Sequence, residues 1–369
     1  MKYGLVLAGG GARGAYQIGV MKVLKELNIE ISAVCGTSIG AINGAMFVQG
    51  GFETAGKMWQ RIRLKDIVKL PGDLGDNLLS ISNLPELIKG MHSGGFDVSP
   101  LEKLLKRLID EDKLRSSPMD FGLISISLTN HKTVRIFKED IPRGKIYEYL
   151  IAGASLPVFK AKEIDGEKFI DGGAVDNIPM DMLVDKGVTD IIAVDVHGIG
   201  VKRDICSAGI NVIEISCSKP EIGTMEFKKD GIEKSINTGY YDSMKVFGRY
   251  SGSKFFFDTA EYTALKKIYG SKLLSGIEQA ADIFGLDNLC LYRFDEFVKK
   301  TLALYRKCAK KYDGAALSAI HSEGAAAVVV QLINMLKEKN SGFIKKKLDI
   351  FGKYYDAAGA LMYFERKFK

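Results

Sequence analysis

Residues 36–40 read Gly36-Thr37-Ser38-Ile39-Gly40, follow the β-branched run Ile31 to Cys35, and lead into Ala41-Ile42-Asn43-Gly44-Ala45, the start of a helix. A GxSxG pattern on a strand-to-helix turn holds its serine at a sharp, strained bend. The hydroxyl then projects above the sheet edge, and small neighbours let the backbones approach closely enough to make the bend. The helix beneath contributes its N-terminal dipole and unpaired N–H groups. Ser38 is therefore the candidate nucleophile, with Gly36, Thr37, Ile39 and Gly40 as its elbow. A tight glycine turn capped by a serine reads the same way locally, so the surrounding sequence has to decide.

Upstream, the apolar run Tyr3 to Ala8 is followed by Gly9-Gly10-Gly11-Ala12-Arg13-Gly14. Ile18, Met21, Val23, Leu24 and Leu27 then recur at helical spacing, which predicts a helix from near Arg13 to just before Asn28. The glycines fit GxGxxG, the loop of a dinucleotide site. Such a site also wants an acid near the end of the second strand to hold the ribose hydroxyls, but the nearest one, Glu30, precedes that strand. GTSIG stands there instead. If the two strands are parallel neighbours, their carboxyl ends open on one crevice and the glycine loop faces Ser38. A row of glycine N–H groups at a helix start is an anion-binding nest suited to the oxyanion of acyl transfer. Gly9, Gly10, Gly11 and Gly14 are its candidate residues. An arginine in the first turn of a helix is often a solvated side chain, its charge opposing the helix dipole, but its placement between Gly11 and Gly14 makes Arg13 a candidate site residue.

Downstream, Leu123 to Leu128, Ile191 to Val196 and Val212 to Ile215 are further continuous apolar runs separated by helical periodicity, as in parallel strands covered on both faces. The alternation near Thr133 to Phe137 and around Lys162 to Ile170 predicts edge hairpins, the second turning at Asp165-Gly166. In Phe169-Ile170-Asp171-Gly172-Gly173 an acid ends a short strand, and Gly172 and Gly173 leave room around its carboxylate. Asp171 could therefore act on a serine hydroxyl directly; a plain turn aspartate is the alternative. A Ser38, Asp171, His197 triad is conceivable as well, but an elbow after only the second strand argues against an α/β-hydrolase arrangement. Asp176-Asn177-Ile178-Pro179 reads as a helix start capped by Asn177.

In order, GGGARG at 9–14, GTSIG at 36–40, ASLPVF at 154–159 and DGG at 171–173 resemble the four blocks of the patatin-like phospholipases, over roughly residues 1–200. The resemblance implies a three-layer α/β/α core with a mainly parallel sheet. It also implies a Ser-Asp dyad that uses no histidine, in which Ser38 attacks an ester carbonyl and Asp171 moves the proton. The oxyanion would rest on the N–H groups of Gly10 and Gly11, with Arg13 organising the loop. The implied substrate is a phospholipid or another acyl-ester lipid, and neither a metal nor a cofactor is expected.

The chain has 369 residues, 46% hydrophobic and 26% charged, which excludes a disordered or fibrous protein and allows two domains. We expect a catalytic domain over 1–215, a connecting segment over 216–260 and a helical domain over 261–369, where strand-like runs disappear. Residues 337–369 hold nine Lys or Arg and four Asp or Glu, much of the +7 net charge. Ile344, Leu348, Phe351, Tyr355, Ala358 and Met362 line one helix face there. This basic amphipathic end either packs its apolar face or lies on a membrane.

The five cysteines, Cys35, Cys206, Cys217, Cys290 and Cys308, are widely spaced and read as free thiols. Lys2 precedes only a short apolar run, which predicts neither a signal peptide nor a membrane span, and Ala325 to Ile333 is too short to span. The expectation is a cytoplasmic protein, peripheral at most to a membrane, with no nucleic-acid partner and an oligomeric state that the sequence leaves open. Whether Asn77 to Gly95, with Met91 and the Gly94-Gly95 pair, is a lid is left open by the sequence. The competing functional classes are a nucleotide-binding oxidoreductase and a catalytically silent lipid-binding protein.

Overall fold

The computed structural model describes residues 2–70, 77–92, 94–203, 209–312, 324–337 and 348–368. Strand β1 (Tyr3–Leu7) has Leu5, Val6 and Leu7 wholly buried. It pairs in parallel with β2 (Ile31–Thr37) and with β7 (Asp190–Asp195). These pair onward, again in parallel, with β3 (Asp120–Ser127) and β8 (Asn211–Ser216). Three antiparallel strands complete the sheet: β4 (Lys132–Phe137), β5 (Lys162–Ile164) and β6 (Glu167–Asp171). The order is β5-β6-β3-β2-β1-β7-β8, with β4 also on β3. The sheet is thus mixed and mainly parallel, as the apolar runs predicted, and the antiparallel pieces lie toward the β3 side.

One detail of register positions the site. Along one edge of β3, β4 pairs with Gly122–Ser127. The other edge is shared end to end: β2 covers Asp120–Ile124 and β6 covers Ser125–Ser127. β2 runs parallel to β3 and β6 antiparallel, so their carboxyl ends meet, with Thr37 opposite Ile124 and Asp171 opposite Ser125.

Helices α1 (Ala15–Glu26), α2 (Ile39–Val48), α3 (Phe52–Arg61), α4 (Leu84–His92), α5 (Ser99–Leu108), α6 (Glu111–Ser116), α7 (Ile146–Gly153), α8 (Met180–Asp185) and α9 (Lys229–Val246) connect the strands or follow them. A 3-10 turn over Gly11–Gly14 precedes α1, so the regular helix begins two residues after the expected Arg13. The β5–β6 hairpin turns at Asp165 (φ 51°) and Gly166 (φ 80°), the two positive φ values that a type I′ turn needs. The expected cap at Asn177 is not there: α8 starts at Met180, with Pro179 in the cap position and no side-chain cap bond. Asn177 is buried and used elsewhere.

The chain divides into two compact units, Met1–Ser243 and Met244–Lys369. The second is mainly helical: α10 (Thr259–Ile283), α11 (Phe294–Lys311), α12 (Ala325–Lys337) and α13 (Leu348–Lys367). It also holds a small sheet of β9 (Tyr250–Ser251), β10 (Phe256–Asp258) and β11 (Leu291–Tyr292). β11 corrects the expectation of no strand beyond Glu261; two residues are too few to leave a periodic signal. The core is aromatic, with Phe255, Phe257, Tyr292 and Phe297 meeting edge to face. Beside it, buried Glu278 accepts the backbone N–H groups of Ser253, Lys254 and Phe255 on Oε2 and the Tyr262 hydroxyl on Oε1.

α13 buries Ala357, Ala358, Ala360, Leu361 and Phe364. Of the expected apolar line, Ala358 is buried and Met362 packs partly, while Tyr355 faces outward; Ile344 and the side chains of Leu348 and Phe351 lie outside the described residues. The packed face is shifted because small alanines allow close contact with α10, where Asp356 and Ala360 lie against Gly276. Among the described residues no helix is long and apolar enough to cross a membrane. Asn77 to Gly95, where the sequence left a lid open, is described except for residue 93 and contains α4, but the side chain of Met91 lies outside the description.

Candidate active site

Ser38 stands between β2 and α2 with φ 54° and ψ −126°, a conformation that costs a non-glycine residue on the order of 1–3 kcal/mol and tends to persist where function requires it. Two glycines make the bend possible. A Cβ at Gly36 would overlap the Gly40 backbone, and one at Gly40 would overlap the Leu7 carbonyl. Thr37 anchors the turn from below, its hydroxyl donating to the Asp176 carbonyl at 3.0 Å. The Ser38 carbonyl accepts the N–H groups of Ala41 and Ile42, which starts α2.

The glycine loop faces this turn, as parallel pairing of β1 and β2 requires. A Cβ at Gly9 would stand 3.2 Å from that of Ser38 and 2.5 Å from Oδ1 of Asn177. The Gly9 N–H donates to the Asn177 carbonyl at 3.3 Å, and Asn177 Nδ2 donates to the Gly9 carbonyl at 3.3 Å. Ala12 donates to the Thr224 carbonyl at 2.7 Å and Arg13 to the Gly10 carbonyl at 3.2 Å. The N–H groups of Gly10, Gly11 and Ile39 have no partner among the described residues. Gly14 abuts Ile39, and its carbonyl accepts Asn43 Nδ2 at 3.0 Å. The Arg13 guanidinium donates from Nε to the Ile222 carbonyl at 3.1 Å and from Nη1 to the His197 carbonyl. Its contacts are to two backbone segments flanking the loop.

Asp171 ends β6 and is 5% exposed. Its N–H donates to the Ser155 carbonyl at 2.9 Å, which gives the Ala154 to Phe159 block a positioning contact. Oδ1 accepts the Gly173 N–H at 2.8 Å. Burial pushes the carboxyl pKa up to about 6, against the opposing pull of the Ser38 hydroxyl and the Gly173 N–H. Oδ2 is buried and accepts no hydrogen bond among the described residues. The Ser38 hydroxyl lies close enough to Asp171 to hold its pKa down against burial. A buried, half-satisfied carboxylate beside a strained serine is equipped to accept that serine's proton.

The His197 ring is engaged elsewhere. Its Nε2 is 3.1 Å from the Ser216 hydroxyl and its Nδ1 is 3.5 Å from Asp195 Oδ2. A pyrophosphate is poorly served too, because Thr224 lies over Gly11 and the N–H groups of Ala12 and Arg13 are already used.

Several supports were not read from the sequence. Trp59 Nε1 donates to Asn43 Oδ1 at 2.9 Å, Asn43 donates to Gln17 Oε1 at 2.8 Å, and Gln17 donates to the Ala8 carbonyl at 2.7 Å, all buried. This chain of polar groups ties α3, α2 and α1 to the start of the glycine loop. Asn177, Ile222 and Thr224 complete the frame. Only the burial of polar residues in apolar helices, as at Gln17 and Asn43, could have signalled it.

Residues 5–184 match the family model described as patatin-like phospholipase. Patatin-like phospholipase domain-containing protein 7 of Rattus norvegicus is 31% identical over 198 residues, 52% of this chain and 13% of that protein. Lysophospholipase NTE1 of Cryptococcus neoformans is 28% identical over 200 residues, 53% of this chain and 11% of its own length. The chain thus spans a small part of the curated relatives it matches. Among solved structures, VipD from Legionella pneumophila is similar at 16% identity with a TM-score of 0.44, covering 99% of this chain and 86% of that one. So loose a likeness carries no argument.

Proposed function

Over residues 5–184 the chain belongs to the patatin-like phospholipase family, and on that premise we propose that it is a serine lipid acyl hydrolase working through Ser38 and Asp171. The observation that carries this reading is the Asp171 carboxyl, buried with Oδ2 unpartnered, its pKa raised, at the side of a serine held at positive φ. Ser38 Oγ attacks the ester carbonyl while its proton passes to Asp171. The tetrahedral oxyanion is received by the N–H groups of Gly10 and Gly11, with Ile39 beside them; one such donor is typically worth about 3–4 kcal/mol. Collapse expels the alcohol, which takes the proton back from Asp171. Water then repeats the sequence on the acyl-enzyme, again giving its proton to Asp171.

Arg13 acts as a positioning residue in this scheme, since its donors go to carbonyls of His197 and Ile222 that frame the loop. The substrate class, an acyl ester of a phospholipid or lysophospholipid, follows the names of the family and its relatives. The test is a fluorophosphonate probe followed by a lipid panel. The wild type should be labelled at Ser38 and release fatty acid, and Ser38→Ala should do neither. Labelling that survives in Ser38→Ala puts the nucleophile elsewhere and defeats the reading, and a wild type that is unlabelled and leaves every acyl ester intact leaves a silent lipid-binding protein.

A further inference from the structure

Residues 197–203, His-Gly-Ile-Gly-Val-Lys-Arg, run off the end of β7 and across the candidate site. Gly198 sits so tightly on the glycine loop that a Cβ there would overlap the Gly9 carbonyl. The Val201 N–H donates to the Gly173 carbonyl at 3.0 Å, and the Val201 carbonyl accepts the Asn177 N–H at 2.6 Å. Arg13 holds the His197 carbonyl. The backbone is thereby fastened both to the loop expected to receive the oxyanion and to the Asp171-Gly172-Gly173 turn.

The two apolar side chains go the other way. Ile199 is 81% exposed, more than any other large apolar side chain among the described residues, and Val201 is 48% exposed. Lys202 and Arg203 follow, both exposed, Arg203 with its Nε donating to the Val175 carbonyl at 3.1 Å, and no acid occurs among the seven residues. Asp195, the partner of Lys202, is itself buried. Aliphatic groups held in water beside cations, on backbone that other contacts fix, make a surface suited to headgroups outside and acyl chains within.

We propose that residues 197–203 form a lip that seats the chain on an anionic lipid surface. Ile199 and Val201 enter the acyl region, and Lys202 and Arg203 meet the headgroups. The lip is fastened to the glycine loop and to the turn after Asp171, so docking would bring Ser38 close to the lipid; this last consequence, and only this one, rests on the acyl-hydrolase reading. The occupant follows from charge and from continuity with the site: cations and aliphatics together fit a phospholipid layer.

The test needs no turnover. The full chain, carrying Ser38→Ala to prevent hydrolysis, is floated with vesicles of phosphatidylcholine alone and of phosphatidylcholine with phosphatidylglycerol in equal parts. Ile199→Ser and Ile199→Leu are made in that background, and each is checked for an unchanged melting temperature. The mixed vesicles should be bound more tightly than the neutral ones. Ile199→Ser should weaken binding about tenfold or more, and Ile199→Leu should bind like its parent. A parent indifferent to lipid charge, a serine variant that floats like its parent, or a leucine variant as weak as the serine one overturns the lip. So does sedimentation without lipid in which Ile199→Ser dissolves a dimer, since the occupant would then be a second copy. Failure of Ser38 labelling would instead strike the proposed chemistry and leave the lip standing.

Discussion

Thr37 and Asp171 lie opposite consecutive residues of one strand, Ile124 and Ser125, because β2 and β6 run toward each other along the same edge of β3. The residue after Thr37 is Ser38. The separation of serine and carboxylate is therefore set by backbone hydrogen bonding of a buried strand, with no long loop between the two groups. This gives the pair the rigidity that a direct proton transfer requires.

Loss of either member should be close to complete. Ser38→Ala and Asp171→Asn are each expected to lower kcat/KM on a short-chain nitrophenyl ester by at least about a thousandfold, and the double variant should be little worse, since the two act as a unit. His197→Ala should keep most of the turnover, because the ring is engaged with Asp195 and Ser216. A wild-type rate for Asp171→Asn together with a dead His197→Ala would restore the triad.

As the proposed base, Asp171 works only when ionised. With the Asp171 pKa pushed up to about 6, kcat/KM should rise with pH through that value and level off above it. A profile already flat between pH 4 and 6 would mean that the carboxylate is not so disfavoured by burial.

The same shift predicts an inverse effect on stability. Relative to an ordinary carboxyl near 3.9, the folded state prefers protonated Asp171. Its favourable contribution is full below about pH 4 and is lost as pH rises through about 6. Asp171→Asn should therefore melt higher than wild type at pH 8, by up to about 3 kcal/mol in stability at 1.36 kcal/mol per unit, with the difference shrinking toward pH 4. Thermal melts at the two pH values measure it.

Asn177 offers a test of the frame. Asn177→Ala removes the donor to the Gly9 carbonyl and should lower kcat about tenfold with little change in KM, at a stability loss of about 1 kcal/mol. Asn177→Asp should be worse than alanine, because it sets an acceptor against that carbonyl. Steady-state kinetics of the two variants would contradict this if aspartate outperformed alanine.

Gly40→Ala should not yield a folded first unit, because its Cβ would meet the Leu7 carbonyl and neither backbone can yield. Recovery of soluble protein with a wild-type melt would show that the elbow is looser than described.

The strands, the edge hairpin and the pairing of glycine loop with serine turn were legible because each is local: a β-branched run, an Asp-Gly turn, a GxSxG bend. What escaped is set by register and by distant chain. Asn177 carries a strong local preference for caps, and a tertiary contact with Gly9 168 residues away overrode it. The carbonyls of Ile222 and Thr224 are invisible to any side-chain pattern, since every residue has one. The packed face of α13 was misread at Tyr355 because hydrophobic spacing ranks a tyrosine above the alanines that make close helix contact.

Trp59 is the only tryptophan in the chain, it is fully buried, and its indole N–H is bonded to Asn43 on the helix that Ser38 precedes. Intrinsic indole emission is thus a spectroscopic window on the first unit alone, since the second has tyrosine and phenylalanine but no tryptophan. A melt followed by that emission, set beside one followed by far-ultraviolet circular dichroism, reads one unit against both. The gap between the two midpoints reports how far the two units lose structure separately, with no label attached.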